Sequence, residues 1–339
     1  VTDRVVNPAP DTDDSRLDRA LRPRDLSEHE FIGQSDVKRA LHLMIQAARA
    51  RNEPVDHILL AGPPGLGKTT LAQIIANEMQ SHLEVTSGPA LLRPGDLTTK
   101  LSAIDASSVL FIDEIHRLGK SVEEILYPAM EDFAFDLPSG NQSHRIPLKP
   151  FTVIGATTSA GSLTPALRDR FGVVHRLEFY SVEEAARIVQ RSARILGVTI
   201  TDTGAFALAQ RSRGTARVCN RLLRRVRDYA EVAADGVITD DVAAKALDEL
   251  NVDNEGLDAM DRRILTTLMD TFNGGPAGLQ ALAASLAEDL PTLESHYEPF
   301  LLQRGFIART PRGRVATRQA YEHLNREPPT TAAEQATLL

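Results

Sequence analysis

Three short apolar runs punctuate the first half of the chain, and each stops at polar or glycine-rich residues. They are His57–Ala61 before a glycine-rich loop, Val109–Ile112 before Asp113, and Phe151–Ala156 before Thr157-Thr158. Unbroken runs of this length are the mark of strands buried on both faces of a parallel sheet. Helical spacing lies around them: Val37, Leu41, Met44, Ile45 and Ala48 recur at helical intervals across Gln34–Arg51, and Thr69–Met79 and Ser121–Asp132 read as helices too. The pattern predicts an α/β fold, a doubly wound parallel layer over residues 21–180.

Beyond Tyr180 the strand signals fade. Val182–Leu196, Thr203–Arg211, Arg217–Ala234 and Thr239–Leu250 are all helical in pattern, which predicts a small all-helical domain over 181–252. A polar joint, Asn251–Gly256, leads to a third unit over 255–325. It reads as helix Asp258–Phe272, a Gly274-Gly275-Pro276 turn, a helix from Leu279, a helix from Thr292 to Arg304, and a hairpin over Gly305–Thr317. Three helices followed by a hairpin is the order of a winged helix. Residues 1–20, with five aspartates and no apolar periodicity, are expected to be a flexible arm, and residues 326–339 a flexible tail.

Composition narrows the function classes. The 339 residues are 42% hydrophobic and 25% charged, ordinary for a globular protein. No apolar stretch approaches the ~18 residues of a membrane span and no secretory segment opens the chain, so a cytoplasmic location with no membrane partner is expected. The one cysteine, Cys219, excludes an internal disulfide and a multi-thiolate zinc site. A net charge of −8 opposes nucleic-acid binding on average, but affinity comes from local basic surface. One such region is clear: Arg304, Arg309, Arg312, Arg314 and Arg318 place five arginines in fifteen residues with no acid between them. A hairpin tip of this kind suits sequence-neutral contact with a phosphate backbone, through Arg309, Arg312 and Arg314. A second run, seven arginines between Arg211 and Arg227, falls on the helical domain and reads as nucleotide and inter-subunit surface.

The chemistry is carried by Gly62-x4-Gly67-Lys68-Thr69, which has P-loop spacing between a strand and a helix. Backbone N–H groups there can turn toward phosphate oxygens, Lys68 can reach the β- and γ-phosphates, and the Thr69 hydroxyl can ligate Mg2+. Asp113, at the end of the second strand, suits the same ion, and Glu114 suits a general base for water. A site that only bound nucleotide would not need the second acid, so ATP hydrolysis is expected. Thr158 could bond the γ-phosphate or the attacking water, although a β-branched pair at a strand end also reads as packing. Arg168 and Arg170 could stabilise transition-state charge on a neighbouring subunit, or be ordinary surface arginines.

With these motifs in place, the chain resembles the AAA+ ATPases, and among them the RuvB family of Holliday-junction branch-migration motors. The resemblance rests on Ile112–Leu118, Glu123–Phe133, Leu167–Gly172, Arg191–Gly197 and Arg309–Thr317, and covers about residues 20–325. It implies a P-loop AAA+ domain, a helical lid and a winged-helix head. Thr158 becomes the first sensor, Arg170 a finger acting in trans and Arg217 the second sensor. Leu21, Arg22 and Tyr180 would frame an ATP held at Gly62, Gly65, Gly67, Lys68, Thr69 and Thr70, with Glu131, Asp132 and Phe133 nearby. The resemblance further implies a homo-hexamer around duplex DNA at four-way junctions, loaded by RuvA and serving the RuvC resolvase.

Four departures stand out. Ala216 occupies the position of a customary proline before Arg217, which is expected to loosen that turn. Cys219 replaces a small residue and is expected to be a core thiol. The segment between Phe133 and Phe151 is shorter than in relatives that use it to hold RuvA, with Gly140-Asn141-Gln142-Ser143 as its turn. Leu290-Pro291 stands where relatives often carry a DNA-contacting arginine.

Overall fold

The computed structural model describes residues 19–139 and 142–328. The expected arm up to Asp18, the Gly140-Asn141 part of the hairpin turn and the tail from Pro329 lie outside the described residues. Two compact units divide at Tyr180/Ser181.

The first unit opens with α1 (Ser35–Arg51), and its sheet is then laid down through β1 (Ile58–Ala61), α2 (Lys68–Glu78), β2 (Leu83–Ser87), α3 (Pro94–Ser102), β3 (Val109–Asp113) and α4 (Lys120–Glu131). A hairpin of β4 (Ala134–Ser139) and β5 (Gln142–Pro147) comes next, then β6 (Thr152–Thr157), the short helix α5 (Pro165–Arg168) and β7 (Val173–Arg176). The sheet order is β2-β3-β6-β1-β7, with every pairing parallel. The three expected strands are its centre, and β1 and β6 are buried throughout. The two strands that the apolar pattern missed, β2 and β7, are the edges. Each keeps exposed positions, so neither forms a continuous apolar run. Leu97 and Leu101 of α3 and Val122, Leu126 and Ala129 of α4 pack on Leu110, Ile112 and Val153 of the sheet.

Register decides what gathers at the carboxyl edge. Ala61 pairs with Thr157, Ile112 with Gly155 and Ser87 with Asp113. The loop after β1, the acids after β3 and the threonines ending β6 therefore emerge side by side, where open α/β sheets bind ligands.

In the second unit, the helical domain comprises α6 (Val182–Leu196), β8 (Thr199–Ile200), α7 (Asp202–Gln210), α8 (Ala216–Ala233), β9 (Val237–Ile238) and α9 (Asp240–Glu249). The helices stand within a residue or two of expectation, because their termini are written in the sequence. Ser181 and Glu184 form a reciprocal capping box at the start of α6, and Gly197 closes it in the left-handed region. The two-residue strands β8 and β9 pair in parallel, a small addition to the helical pattern. Ala216 is the first residue of α8, and Thr215 caps that helix by accepting the Val218 N–H at 3.3 Å. Cys219 is fully buried, and desolvation pushes its thiol up to about 12.

The last domain runs α10 (Ala259–Asp270), α11 (Leu279–Leu286), α12 (Leu290–Thr292), a π-helical turn Leu293–Tyr297, α13 (Glu298–Gln303), β10 (Ile307–Thr310), β11 (Gly313–Ala316) and α14 (Arg318–His323). The single helix expected from Thr292 thus contains a π turn, and a helix comes after the wing. Leu290 packs on the domain core and Pro291 lies in the first turn of its helix. Arg326, placed at the start of the expected tail, ion-pairs with Asp270. The domain is tied to the helical one by Arg213, whose guanidinium is buried against Asp258 and Asp261 and lies 4.5 Å over the Phe300 ring.

Candidate nucleotide and DNA sites

The glycine-rich loop is shaped for backbone donors. Gly62, Gly65 and Gly67 all have positive φ, and a Cβ on Gly62 would stand 2.7 Å from the Leu177 carbonyl oxygen. Lys68 and Thr69 open α2, whose unpaired N–H groups and dipole favour an anion. Lys68 is buried, and its ammonium donates to the carbonyls of Gly62 at 2.7 Å and Pro63 at 2.8 Å. Tyr180 is buried beside the loop and donates from its hydroxyl to the Leu66 carbonyl at 3.0 Å. Leu21 is buried, and Thr70 comes directly after Thr69 in α2.

Thr69 and Asp113 line one open cavity, together with Ser87, Thr86 and Asp96. A hydroxyl and a carboxylate facing one space are hard oxygen donors of the kind magnesium takes, so these residues fit the ion. Asp113 accepts the Glu114 N–H at 2.9 Å, which aims the two acids differently. Glu114 itself holds a left-handed backbone, φ 49 and ψ 44. That conformation costs a non-glycine residue of order 1–3 kcal/mol and is kept only where the surroundings enforce it. Gly88 permits the close approach of this backbone: a Cβ there would stand 2.4 Å from the Glu114 carbonyl oxygen. Thr158 donates to Glu114 Oε2 at 3.3 Å, so the threonine that follows β6 and the second acid after β3 meet.

Arg170 bonds to none of these groups and has partners of its own. It donates to the Ala166 carbonyl at 2.6 Å and to Glu131 Oε2 at 3.2 Å, and stacks 4.3 Å over the Tyr127 ring. Tyr127, which is assigned no role of its own from the sequence, is itself held by Glu123 at 2.5 Å. Asp132 pairs with Arg145 of the hairpin, and Phe133 packs edge-on against Phe151 at 6.0 Å. Arg22 lies next to Leu21 at the start of the first unit, and Arg217 in the first turn of α8 in the second.

The wing departs from its sequence appearance. No acid lies among the five arginines in sequence, yet the fold brings acids to four of them. Glu298, only 2% exposed, accepts two hydrogen bonds from Arg309 (2.8 and 2.9 Å) and two from Arg314 (2.6 and 3.1 Å). Burial alone would raise the Glu298 carboxyl, but these bonds outweigh it and hold the group below its usual range. Arg304 pairs with Glu255, and Arg318 with Glu322 at 2.7 Å. Among the described residues, Arg312 at the hairpin tip is the wing arginine with no carboxylate partner, and it is exposed. Its backbone N–H is held by Thr310 Oγ1 at 3.3 Å.

Comparisons with known proteins agree along the whole described chain. The family description "Holliday junction DNA helicase RuvB P-loop domain" matches residues 21–177, "RuvB AAA lid domain" matches 180–253, and "RuvB C-terminal winged helix domain" matches 254–325. The Holliday junction branch migration complex subunit RuvB of Chloroflexus aurantiacus is 58% identical over 326 residues, covering 95% of this chain and 93% of its own. That of Chloroflexus aggregans is 57% identical over the same length and shares. The solved Thermotoga maritima RuvB Holliday junction branch migration motor has a TM-score of 0.85 at 51% identity, covering 91% of this chain and 100% of its own.

Proposed function

The chain belongs to the RuvB family, and from that premise we propose that it is an ATP-driven motor that moves duplex DNA through four-way junctions as a homo-hexameric ring. One observation carries the reading to the level of residues: the sheet register brings Thr69, Asp113, Glu114 and Thr158 to one edge beside the glycine loop.

In this reading the loop amides and Lys68 hold the phosphates of ATP, with Lys68 exchanging two neutral carbonyl partners for charged oxygens. Thr69 and Asp113 would hold Mg2+, which when bound offsets the negative charge on the phosphate oxygens. Glu114 accepts a proton from the attacking water, and Thr158 fixes its carboxylate. Arg170 acts on a neighbouring subunit's γ-phosphate, after leaving Glu131. Arg217 acts as the second sensor, and Leu21, Arg22 and Tyr180 frame the nucleotide, with Glu131, Asp132 and Phe133 nearby. Arg312 leads the contact with the DNA backbone, with Arg309 and Arg314 behind it. RuvA is the partner of the β4–β5 hairpin, RuvC acts on the same junction, and the compartment is the cytoplasm. Among the described residues no helix is long and apolar enough to cross a membrane.

The test is dissociation of a synthetic four-way junction by the full chain with ATP, with and without the junction-binding partner. ATP-dependent dissociation that requires or gains from the partner is the expected result. ATP hydrolysis with no junction processing in either condition would overturn the proposal.

A further inference from the structure

Beside the acid pair stands a histidine to which the proposed hydrolysis gives no task. His116 Nε2 is 3.3 Å from Glu114 Oε2, and its Nδ1 is 2.9 Å from the Thr157 hydroxyl oxygen. Thr157 is fully buried, and its oxygen also accepts the Ser159 N–H at 3.0 Å. We propose that His116 is a positioning residue that locks the base Glu114 and couples it to the end of β6.

The hydrogen bonds assign the direction of the chain. The Thr157 oxygen accepts from Ser159, so its own proton is free to point at His116 Nδ1. Nδ1 is then the acceptor, and the proton of the neutral ring sits on Nε2, the nitrogen 3.3 Å from Glu114 Oε2. Burial is the largest influence on the imidazole and holds it below its ordinary value despite the nearby carboxylate, which favours the neutral ring. Thr158 donates to the same Oε2 at 3.3 Å. Thr158 and the edge of the His116 ring both stand at Oε2, which leaves Oε1 to take a proton from water. His116 and Thr158 thus stand against the Glu114 carboxylate from the protein side.

The relay also gives β6 a grip on the base. Ser159 begins the segment leading to α5 and Arg170, so a shift there reaches Glu114 through Thr157 and His116. The inference rests on Glu114 being the base, and the experiment separates the two. ATP turnover by the full chain is compared for His116→Ala, His116→Gln, Thr157→Val, the His116/Thr157 double variant and Glu114→Gln, with nucleotide binding and melting measured alongside.

Misplacing a catalytic group costs up to about a hundredfold, so His116→Ala should lose roughly tenfold to a hundredfold in kcat. KM for ATP and the melting temperature should hardly move. His116→Gln, which keeps an amide donor, should recover part of the loss, and the double variant should be no slower than the worse single one. Unchanged kcat in His116→Ala overturns the inference, as does a loss matched by weaker nucleotide binding or by additive losses in the double variant. Normal turnover in Glu114→Gln overturns the assignment of the base and this inference with it. An inactive Glu114→Gln beside a normal His116→Ala overturns the inference alone.

Discussion

The glycine loop and the wing both present cations toward phosphate, but they hold those cations by opposite means. Lys68 rests on two neutral carbonyls, at 2.7 and 2.8 Å. Arg309 and Arg314 rest on a buried carboxylate. A phosphate displaces neutral carbonyls at little electrostatic cost, whereas drawing one arginine from Glu298 gives up charged hydrogen bonds to a buried carboxylate, a change of about 1–3 kcal/mol with the other arginine still in place. The loop is therefore built to surrender its cation to a ligand, and the wing is built to keep two of its arginines in place. Rigid, half-neutralised arginines keep part of their charge and can shape a surface, while the tip residue Arg312 presents a full charge.

The largest expected effect lies on the nucleotide side of this contrast. Glu114→Gln should keep ATP binding and lower turnover by at least about a hundredfold, the usual contribution of a general base. Turnover near the parent rate would remove Glu114 from that role. Next, Arg170→Ala subunits mixed into parent rings should depress ATP turnover more than their fraction predicts, because each deprives a neighbour. A loss in simple proportion would show that the arginine acts only within its own subunit.

The wing offers smaller effects that separate its arginines. Arg312→Ala should weaken duplex binding and reduce the salt slope by about one, as loss of one phosphate contact requires. Arg314→Ala should change the slope less but lower stability by about 1–3 kcal/mol, since it removes charged hydrogen bonds from Glu298. Equal slopes in the two variants would erase the difference between tip and base of the wing.

The smallest effect is a dependence on pH. The Glu298 carboxyl is held below its usual range, so the stability it adds is fully present above the ordinary glutamate value of about 4.3. That contribution is lost as pH falls through the lower folded value. Melting scans of the full chain should therefore show a Glu298→Gln difference that is constant near neutrality and shrinks only in acid. A difference that grew on acidification would reverse the sign of the assignment.

Much of the nucleotide site was legible because its parts are local. A glycine spacing, a strand ending in two acids and a strand ending in two threonines each occupy a few consecutive residues. Helix boundaries were equally plain where Ser181, Thr215, Thr239 and Asp258 cap the helices they precede. His116 carried a signal as well, three residues beyond Asp113, but spacing alone does not say which way an imidazole faces. The edge strands β2 and β7 escaped because half-exposed strands lack an apolar run.

Short-range pattern in the amino-acid sequence supplies the inventory: the phosphate loop, the acid pair, the threonine pair and the basic wing. The partners of these groups come from the fold alone. It sets Thr158 and His116 on Glu114, Arg170 on Glu131 and Tyr127, and Glu298 between Arg309 and Arg314. The physical reason is that charge neutralisation and hydrogen bonding act through space. A run of arginines that looks unopposed along the chain can therefore be half balanced by a carboxylate folded in from the helix before it.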